Sequence, residues 1–297
     1  MTITRACSIA KLPRATYYKK PVDWLARDKP IIEALAEIVE LERWGFWKCY
    51  DRLRLMNYPW NHKRVYRVYC AMKLNMPRKI KKRVPKRERQ SMIVLPYLNA
   101  VWAIDFMHDA LYCGRSIRTF NVLDESNREA LGIDVATSIP SIRATRFLDQ
   151  LIEIYGLPEA LRCDNGPEFI AQQFVDWCKE KGIQILYIQP GKPDQNAFIE
   201  RFNRTYRDGV LDAYLFDSIS EVQQITDDWI KRYNEQRPHD SLGKLPPAMY
   251  RQQLLAKEEN STLEMSTWQG SLRLERALPR QLALALKVPF PLALMQS

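Results

Sequence analysis

The stretch Val101-Trp102-Ala103-Ile104-Asp105-Phe106-Met107 decides how this chain is read. Six of its seven residues are apolar, several of them β-branched or aromatic, which is the pattern of a buried strand. The exception is Asp105. A carboxylate inside an apolar strand is costly unless something compensates its charge. Working downstream, Arg118–Leu123 and Ala130–Ala136 read as two further strands separated by polar turns. A helix fits 141–155, closed by Gly156-Leu157-Pro158, and is followed by a strand at 160–163, a helix at 168–181 ended by Gly182, and a strand at 183–188. The loop Gln189-Pro190-Gly191-Lys192-Pro193-Asp194 leads into a helix from about 195 to 208. A long helix fits 218–236, with Val222, Ile225, Trp229 and Tyr233 as its buried stripe. Three meandering strands followed by alternating helices and strands predict an α/β fold with a mixed sheet flanked by helices.

Upstream the pattern is helical. Residues 31–42 set Ile31, Leu35, Ile38 and Val39 on one face, and a second short helix spans Trp47 to Leu55. Asn57-Tyr58-Pro59-Trp60 breaks the pattern, and Asn61 is a good N-cap for the next helix. That helix carries Val65, Val68, Tyr69 and Met72 on one side and Lys63, Arg64 and Arg67 on another. Three short helices with a basic third one read as a small all-α helix-turn-helix module that binds DNA through Lys63, Arg64 and Arg67. The competing reading is a helical bundle whose charges merely face water.

Charge favours the first reading. The 297-residue chain has a formal net charge of +10, unevenly spread. Residues 1–90 hold 23 Lys and Arg against 8 Asp and Glu, while the remainder holds 22 against 27. The run 78–89 (RKIKKRVPKRER) alone has eight basic residues and one acid, and it suits a phosphate-tracking linker. No apolar run reaches transmembrane length, and the N-terminus has no secretion signal, so a cytoplasmic, nucleoid-associated protein without membrane contact is expected. The six cysteines are scattered, never as Cys-x-x-Cys, and there are three histidines, so neither a disulfide framework nor a structural zinc site is expected.

Two more acidic residues stand out. Asp164 follows the strand at 160–163 directly, at the sheet edge where α/β proteins place ligands. Glu200 lies in the first turns of a helix after a Gly/Pro loop. Ile199, Phe202, Tyr206 and Val210 form that helix's buried stripe, and Glu200, Asn203, Arg204 and Arg207 share a neighbouring face. Each carboxylate alone reads as a capped turn or a surface charge, and Glu200 with Arg204 as a weak i,i+4 ion pair. Together, three carboxylates at the ends of two strands and one helix fit hard divalent cations, two of which serve phosphoryl transfer.

At these residues the chain resembles a known family. Val101–Phe106, Cys163-Asp164-Asn165-Gly166-Pro167-Glu168-Phe169, and Gly191-Lys192-Pro193-Asp194-Gln195-Asn196-Ala197-Phe198-Ile199-Glu200-Arg201-Phe202-Asn203 look like the catalytic segments of insertion-sequence transposases (orfB-type) of the retroviral-integrase superfamily. The 35 residues between Asp164 and Glu200 match that family's spacing. Tyr233–Gly243, Arg5–Tyr18 and Gly45–Tyr69 are also similar, so the likeness covers about residues 1–255. It implies a ribonuclease-H-like core whose catalytic and metal-holding residues are Asp105, Asp164 and Glu200, with two Mg2+ or Mn2+ ions. Lys192, Asn196, Arg204 and Arg207 would lie near the DNA. It also implies DNA partners (the element's terminal repeats and target DNA), a homo-oligomer on DNA, and an upstream-frame helix-turn-helix protein or fusion. The activity implied is DNA end cleavage and strand transfer. The alternatives are a nuclease of the same fold that only hydrolyses, and an inactive DNA-binding repressor. The expected organisation is a helix-turn-helix region at 1–77, a basic linker at 78–98, a catalytic core at 99–255, and an unrelated, poorly ordered tail at 256–297.

Overall fold

The structure, a computed structural model, describes residues 2–19, 23–42, 44–75, 95–189 and 193–257. The basic run 78–89, Lys192 and the tail from 258 therefore lie outside the described residues. The chain divides into two compact units, Met1–Glu88 and Arg89–Ser297.

The first unit contains α1 (Ile3–Ile9), α2 (Arg14–Tyr18), α3 (Trp24–Leu41), α4 (Phe46–Leu55) and α5 (His62–Ala71). The sequence reading missed α1 and α2, which are short and between them bury only Cys7. It also started α3 seven residues late. The stripe it followed begins only at Ile31, while the turns before it hold the charged run Arg27-Asp28-Lys29 and Pro30 and are capped by Asp23, whose Oδ1 accepts from Ala26 N–H at 3.0 Å. Asn61 caps α5 by accepting from Lys63 N–H at 2.8 Å. Ile31, Leu35, Leu53, Val65, Val68 and Tyr69 form the core.

Asp28 ties α5 to α3 through two of the arginines read from sequence as DNA-facing. It is buried, and its oxygens accept from Arg64 Nε at 2.9 Å and Arg67 Nη2 at 2.5 Å. Arg64 also donates to the Arg27 carbonyl at 2.7 Å. A buried carboxylate needs counter-charge, and α5 supplies it. Arg64 and Arg67, read from sequence as DNA-facing, are turned onto Asp28.

In the second unit a five-stranded sheet has the order β3-β2-β1-β4-β5, with β1 (Val101–Ala110), β2 (Ser116–Asp124), β3 (Ala130–Ala136), β4 (Ala160–Cys163) and β5 (Gln184–Tyr187). The first three strands are antiparallel, and β1–β4 and β4–β5 are parallel. This is the ribonuclease-H-like arrangement. The helices are α6 (Ser141–Tyr155), α7 (Pro167–Ile170), α8 (Gln172–Lys181), α9 (Ala197–Tyr206) and α10 (Ile219–Gln236), with a last helical stretch at 247–257. The sequence reading had α7 and α8 as one helix. Ala171 is extended (φ −58°, ψ 134°) and divides them. None of the described helices is long and apolar enough to cross a membrane.

Side chains alternate across a strand, and the two faces of β1 meet different cores. Trp102 and Ile104 pack with residues of α6 and α8. Ala103 and Met107 pack with Ile199, Phe202 and Tyr206 of α9 and with Val222, Trp229 and Tyr233 of α10. Asp105, between Ala103 and Met107, therefore shares the α9 face. After α9 the chain makes a π turn at Arg207–Leu211, where a Cβ on Gly209 would stand 2.7 Å from Trp229 Nε1.

Helix α10 also seals the sheet. Gln223 accepts from Val135 N–H and donates to the Ile133 carbonyl, both at 3.0 Å. Three turns on, Asn234 accepts from Ala130 N–H and donates to its carbonyl, both at 2.9 Å. The two carboxamides stand in for a sixth strand on the edge strand β3.

Two outcomes follow. Asn234→Ala leaves a buried peptide donor and acceptor unpaired and should cost about 1–3 kcal/mol in urea unfolding, with Gln223→Ala, half-buried, costing less. Burial alone would raise the Asp28 carboxyl, but the hydrogen bonds and charges of Arg64 and Arg67 outweigh it and hold it below its ordinary 3.8. A depressed carboxyl stabilises the fold above its unfolded pKa and loses that contribution as pH falls through the folded one. Asp28→Asn should thus destabilise the first unit at neutral pH, and thermal melts should show the gap to wild type closing at acid pH below 3.8.

Candidate active site

Asp105 stands directly opposite Asn121 of β2 in the antiparallel register. Both meet Asn203 of α9: Asn121 Nδ2 donates to Asn203 Oδ1 at 2.7 Å, and Asn203 Nδ2 donates to Asp105 Oδ2 at 2.7 Å. Asp105 Oδ1 accepts from Phe106 N–H at 2.8 Å. A chain of two carboxamides thus fixes the carboxylate and fastens α9 to the sheet.

Asp164 reaches the same place from β4. The parallel register pairs Ala103 with Arg162, so Asp105 and Asp164 each follow the last paired residue by two positions, Asp105 midway along β1 and Asp164 just past the carboxyl end of its neighbour β4. Asp164 is exposed, and its Oδ1 accepts from Gly166 N–H at 3.0 Å. A Cβ on Gly166 would stand 2.9 Å from that oxygen, so a larger residue there would displace the Asp164 carboxylate. Glu200 is exposed in the first turn of α9, one turn before Asn203.

Electrostatics joins the three. Burial pushes the Asp105 carboxyl up most, the charges of Asp164 and Glu200 push further, and the Phe106 N–H and Asn203 oppose them, leaving it at about 6. Among the described residues no three His, Cys, Asp or Glu side chains are grouped closely enough to hold a metal ion. The donor set nevertheless fits one: carboxylate oxygens are what hard divalent cations bind, and the like-charge crowding at Asp105 has the sign that a cation relieves.

The segment after Asp164 is braced from beneath. Arg118 Nη1 donates to Glu168 Oε1 at 2.5 Å, and its guanidinium lies 4.5 Å from the Phe106 ring centroid. Ser141 Oγ donates to the Glu168 carbonyl at 2.8 Å. Burial acts to raise the Glu168 carboxyl, and Arg118 outweighs it, so the group sits below its ordinary value.

The integrase core domain family matches residues 98–193 and again 181–247. A 39.2 kDa protein of insertion element IS476 from Xanthomonas euvesicatoria is 36% identical over 264 residues, covering 87% of this chain and 75% of that protein. A 31.7 kDa protein of insertion element IS407 from Burkholderia multivorans is 34% identical over 249 residues, covering 83% and 89%. The chain belongs to the insertion-element transposases of the integrase superfamily. The putative transposase InsK of element IS150 from Escherichia coli is 25% identical over 263 residues, covering 82% of this chain and 91% of that one. The HTLV-2 integrase catalytic core, solved in complex with magnesium, aligns with a TM-score of 0.44 at 18% identity over 52% of this chain and 97% of that one.

The remaining residues singled out from sequence fall differently in this transposase. Asn196 is buried, with its Oδ1 lacking a hydrogen-bond partner. Arg204 is exposed. Arg207 is half-buried and donates to Asp109 Oδ2 at 3.0 Å and to the His108 carbonyl at 2.9 Å, tying the end of α9 to β1. Sequence reasoning missed Asn121, which stands among other polar residues of β2 (Ser116, Arg118, Thr119 and Asp124) and so gives no signal of its own. It placed Asn203 beside Glu200 without seeing its partner. The Arg118–Glu168 pair spans 50 residues and leaves no local trace.

Asn203→Ala should therefore loosen α9 specifically. Expected are a loss of about 1–3 kcal/mol of stability and faster amide exchange across Ala197–Tyr206 with the sheet protected as before.

Proposed function

We propose that this transposase cleaves the ends of its own DNA element and joins the freed 3′ hydroxyls to new DNA by direct phosphoryl transfer, with Asp105, Asp164 and Glu200 as its metal-holding carboxylates. The observation that supports the reading is the placement of Asp105 on β1, of Asp164 just past the neighbouring β4, and of Glu200 on α9, the helix that hydrogen-bonds Asp105 through Asn203. Two Mg2+ or Mn2+ ions would supply activation of the attacking oxygen and stabilisation of the leaving one. The chain's own part is orientation. Asn203 and the Phe106 N–H hold the Asp105 oxygens, and Gly166 and the Arg118–Glu168 brace hold the Asp164 turn. Glu200 and Arg204 stand exposed on α9, where a phosphate can meet both the carboxylate site and a cation.

The first unit is read as the DNA-binding region, the basic run as its link to the core, and copies of the chain as acting together on the two DNA ends. An upstream-frame helix-turn-helix partner, and bacterial cytoplasm as the working compartment, belong to the same reading.

The test is a strand-transfer assay on a precut element end with Mg2+ or Mn2+, run beside a gel shift on the same preparation. Wild type should give joined products. Asp164→Asn, which keeps shape and loses charge, should fall to background in joining while retaining DNA affinity. Hydrolysis without joined product would favour a simple nuclease. Binding with neither product would favour a repressor, and unchanged joining by Asp164→Asn would remove the carboxylate from the mechanism.

A further inference from the structure

With Arg64 and Arg67 committed to Asp28, α5 presents a different face outward. Trp47 of α4 is 61% exposed and Tyr66 of α5 is 50% exposed, unusual for such large aromatic residues. The Trp47 ring stacks on exposed His62, with centroids 6.0 Å apart and planes at 30°. Tyr50 contacts both rings, at 6.2 Å each. Phe46 anchors the group, lying 4.8 Å from Tyr66 on the outside and 5.5 Å from the buried Tyr69. Lys63, exposed, follows His62 in the first turn of α5. The result is a continuous aromatic surface beside a cation, at the N-terminal end of the second helix of an α4–α5 pair.

We propose that this surface, formed by Trp47, His62, Lys63 and Tyr66, is where the first unit reads duplex DNA at the element's ends, and that Arg64 and Arg67 hold α5 in position for it. The inference rests on the reading of that unit as DNA-binding. Three observations favour DNA as the occupant. In helix-turn-helix proteins the N-terminal residues of the second helix meet base edges. Helix α5 (HKRVYRVYCA) contains no acidic residue, and residues 1–90 carry 23 basic against 8 acidic ones. The side chains offered also match a major groove: aromatic rings for thymine methyls, and His62 and Lys63 as donors to the purine acceptors.

Photocrosslinking of the full chain to a duplex of the element's terminal repeat, substituted with iodouracil, tests this directly. Crosslinked peptides should contain Trp47, His62 or Tyr66. In parallel, Trp47→Ala/Tyr66→Ala should lose about tenfold or more of the preference for the repeat over a scrambled duplex. Affinity for the scrambled duplex and the melting temperature should be retained, because both side chains are exposed. If the double variant melts lower, Tyr66→Ser alone carries the measurement. Lys63→Ala should flatten the salt slope by about 0.9. Crosslinks confined to other parts of the first unit, or unchanged preference in the variants, overturn the inference while the DNA-binding reading stands. No crosslink anywhere in residues 1–75 overturns that reading itself. Unchanged DNA preference with a changed molecular mass in light scattering assigns the face to contact between copies of the chain instead.

Discussion

The core is organised around one unfavourable act, the placing of the Asp105 carboxylate on the inward side of a central strand. Its own strand, β2 and α9 contribute to offsetting it. Its own strand supplies the Phe106 N–H, and α9 supplies Asn203, itself held by Asn121 from the next strand. Because the compensating amide belongs to the helix that carries Glu200, satisfying one carboxylate also sets the position of another. A fully apolar residue at 105 would remove the penalty and with it the hydrogen bond from Asn203, leaving α9 held by its apolar stripe and by Asn121. The cost of burying the charge and the assembly of the site are therefore the same interaction.

The first unit repeats the principle with opposite emphasis. Asp28 is buried on α3 and is neutralised by two arginines of α5. Replacing such a group by a well-packed apolar one often preserves stability, whereas removing one partner does not. What the ion pair adds is direction: beside the apolar stripe of Val65, Val68 and Tyr69, it fixes where the basic side of α5 meets α3.

Much of this was legible in the chain. The strand at 130–136, the helix at 141–155 and the strand at 160–163 were read with their observed limits, because alternation and the Gly156 and Gly182 stops are local signals. The stripe Ile199, Phe202, Tyr206 and Val210 is buried as its spacing requires. Where reading failed, the cause was non-local. Pro30 and the charged run Arg27-Asp28-Lys29 hid the start of α3, since they interrupt the stripe that marks the rest of the helix. The π turn at Arg207–Leu211 exists because Gly209 must pass the Trp229 indole, a contact between segments twenty residues apart. The carboxylates could be named from their patterns, while their supporting residues could not: Asn121, Asn203, Arg118 and Glu168 act through pairs that only folding creates. The same blindness made Arg64 and Arg67 look available, because a basic stripe does not announce the acid it will meet.

The amides of Gln223 and Asn234 along β3 have a consequence for crowding. An open edge strand is a template for another chain's strand, and the opposite border, β5, is only four residues long. Proteins that gather in several copies on short lengths of DNA experience very high local concentrations, where edge-to-edge polymerisation competes with ordered assembly. By occupying the backbone donors and acceptors of β3 with its own helix, the chain makes that border inert. Any association between copies would then be left to side-chain surfaces, which can be specific, finite in number and reversible.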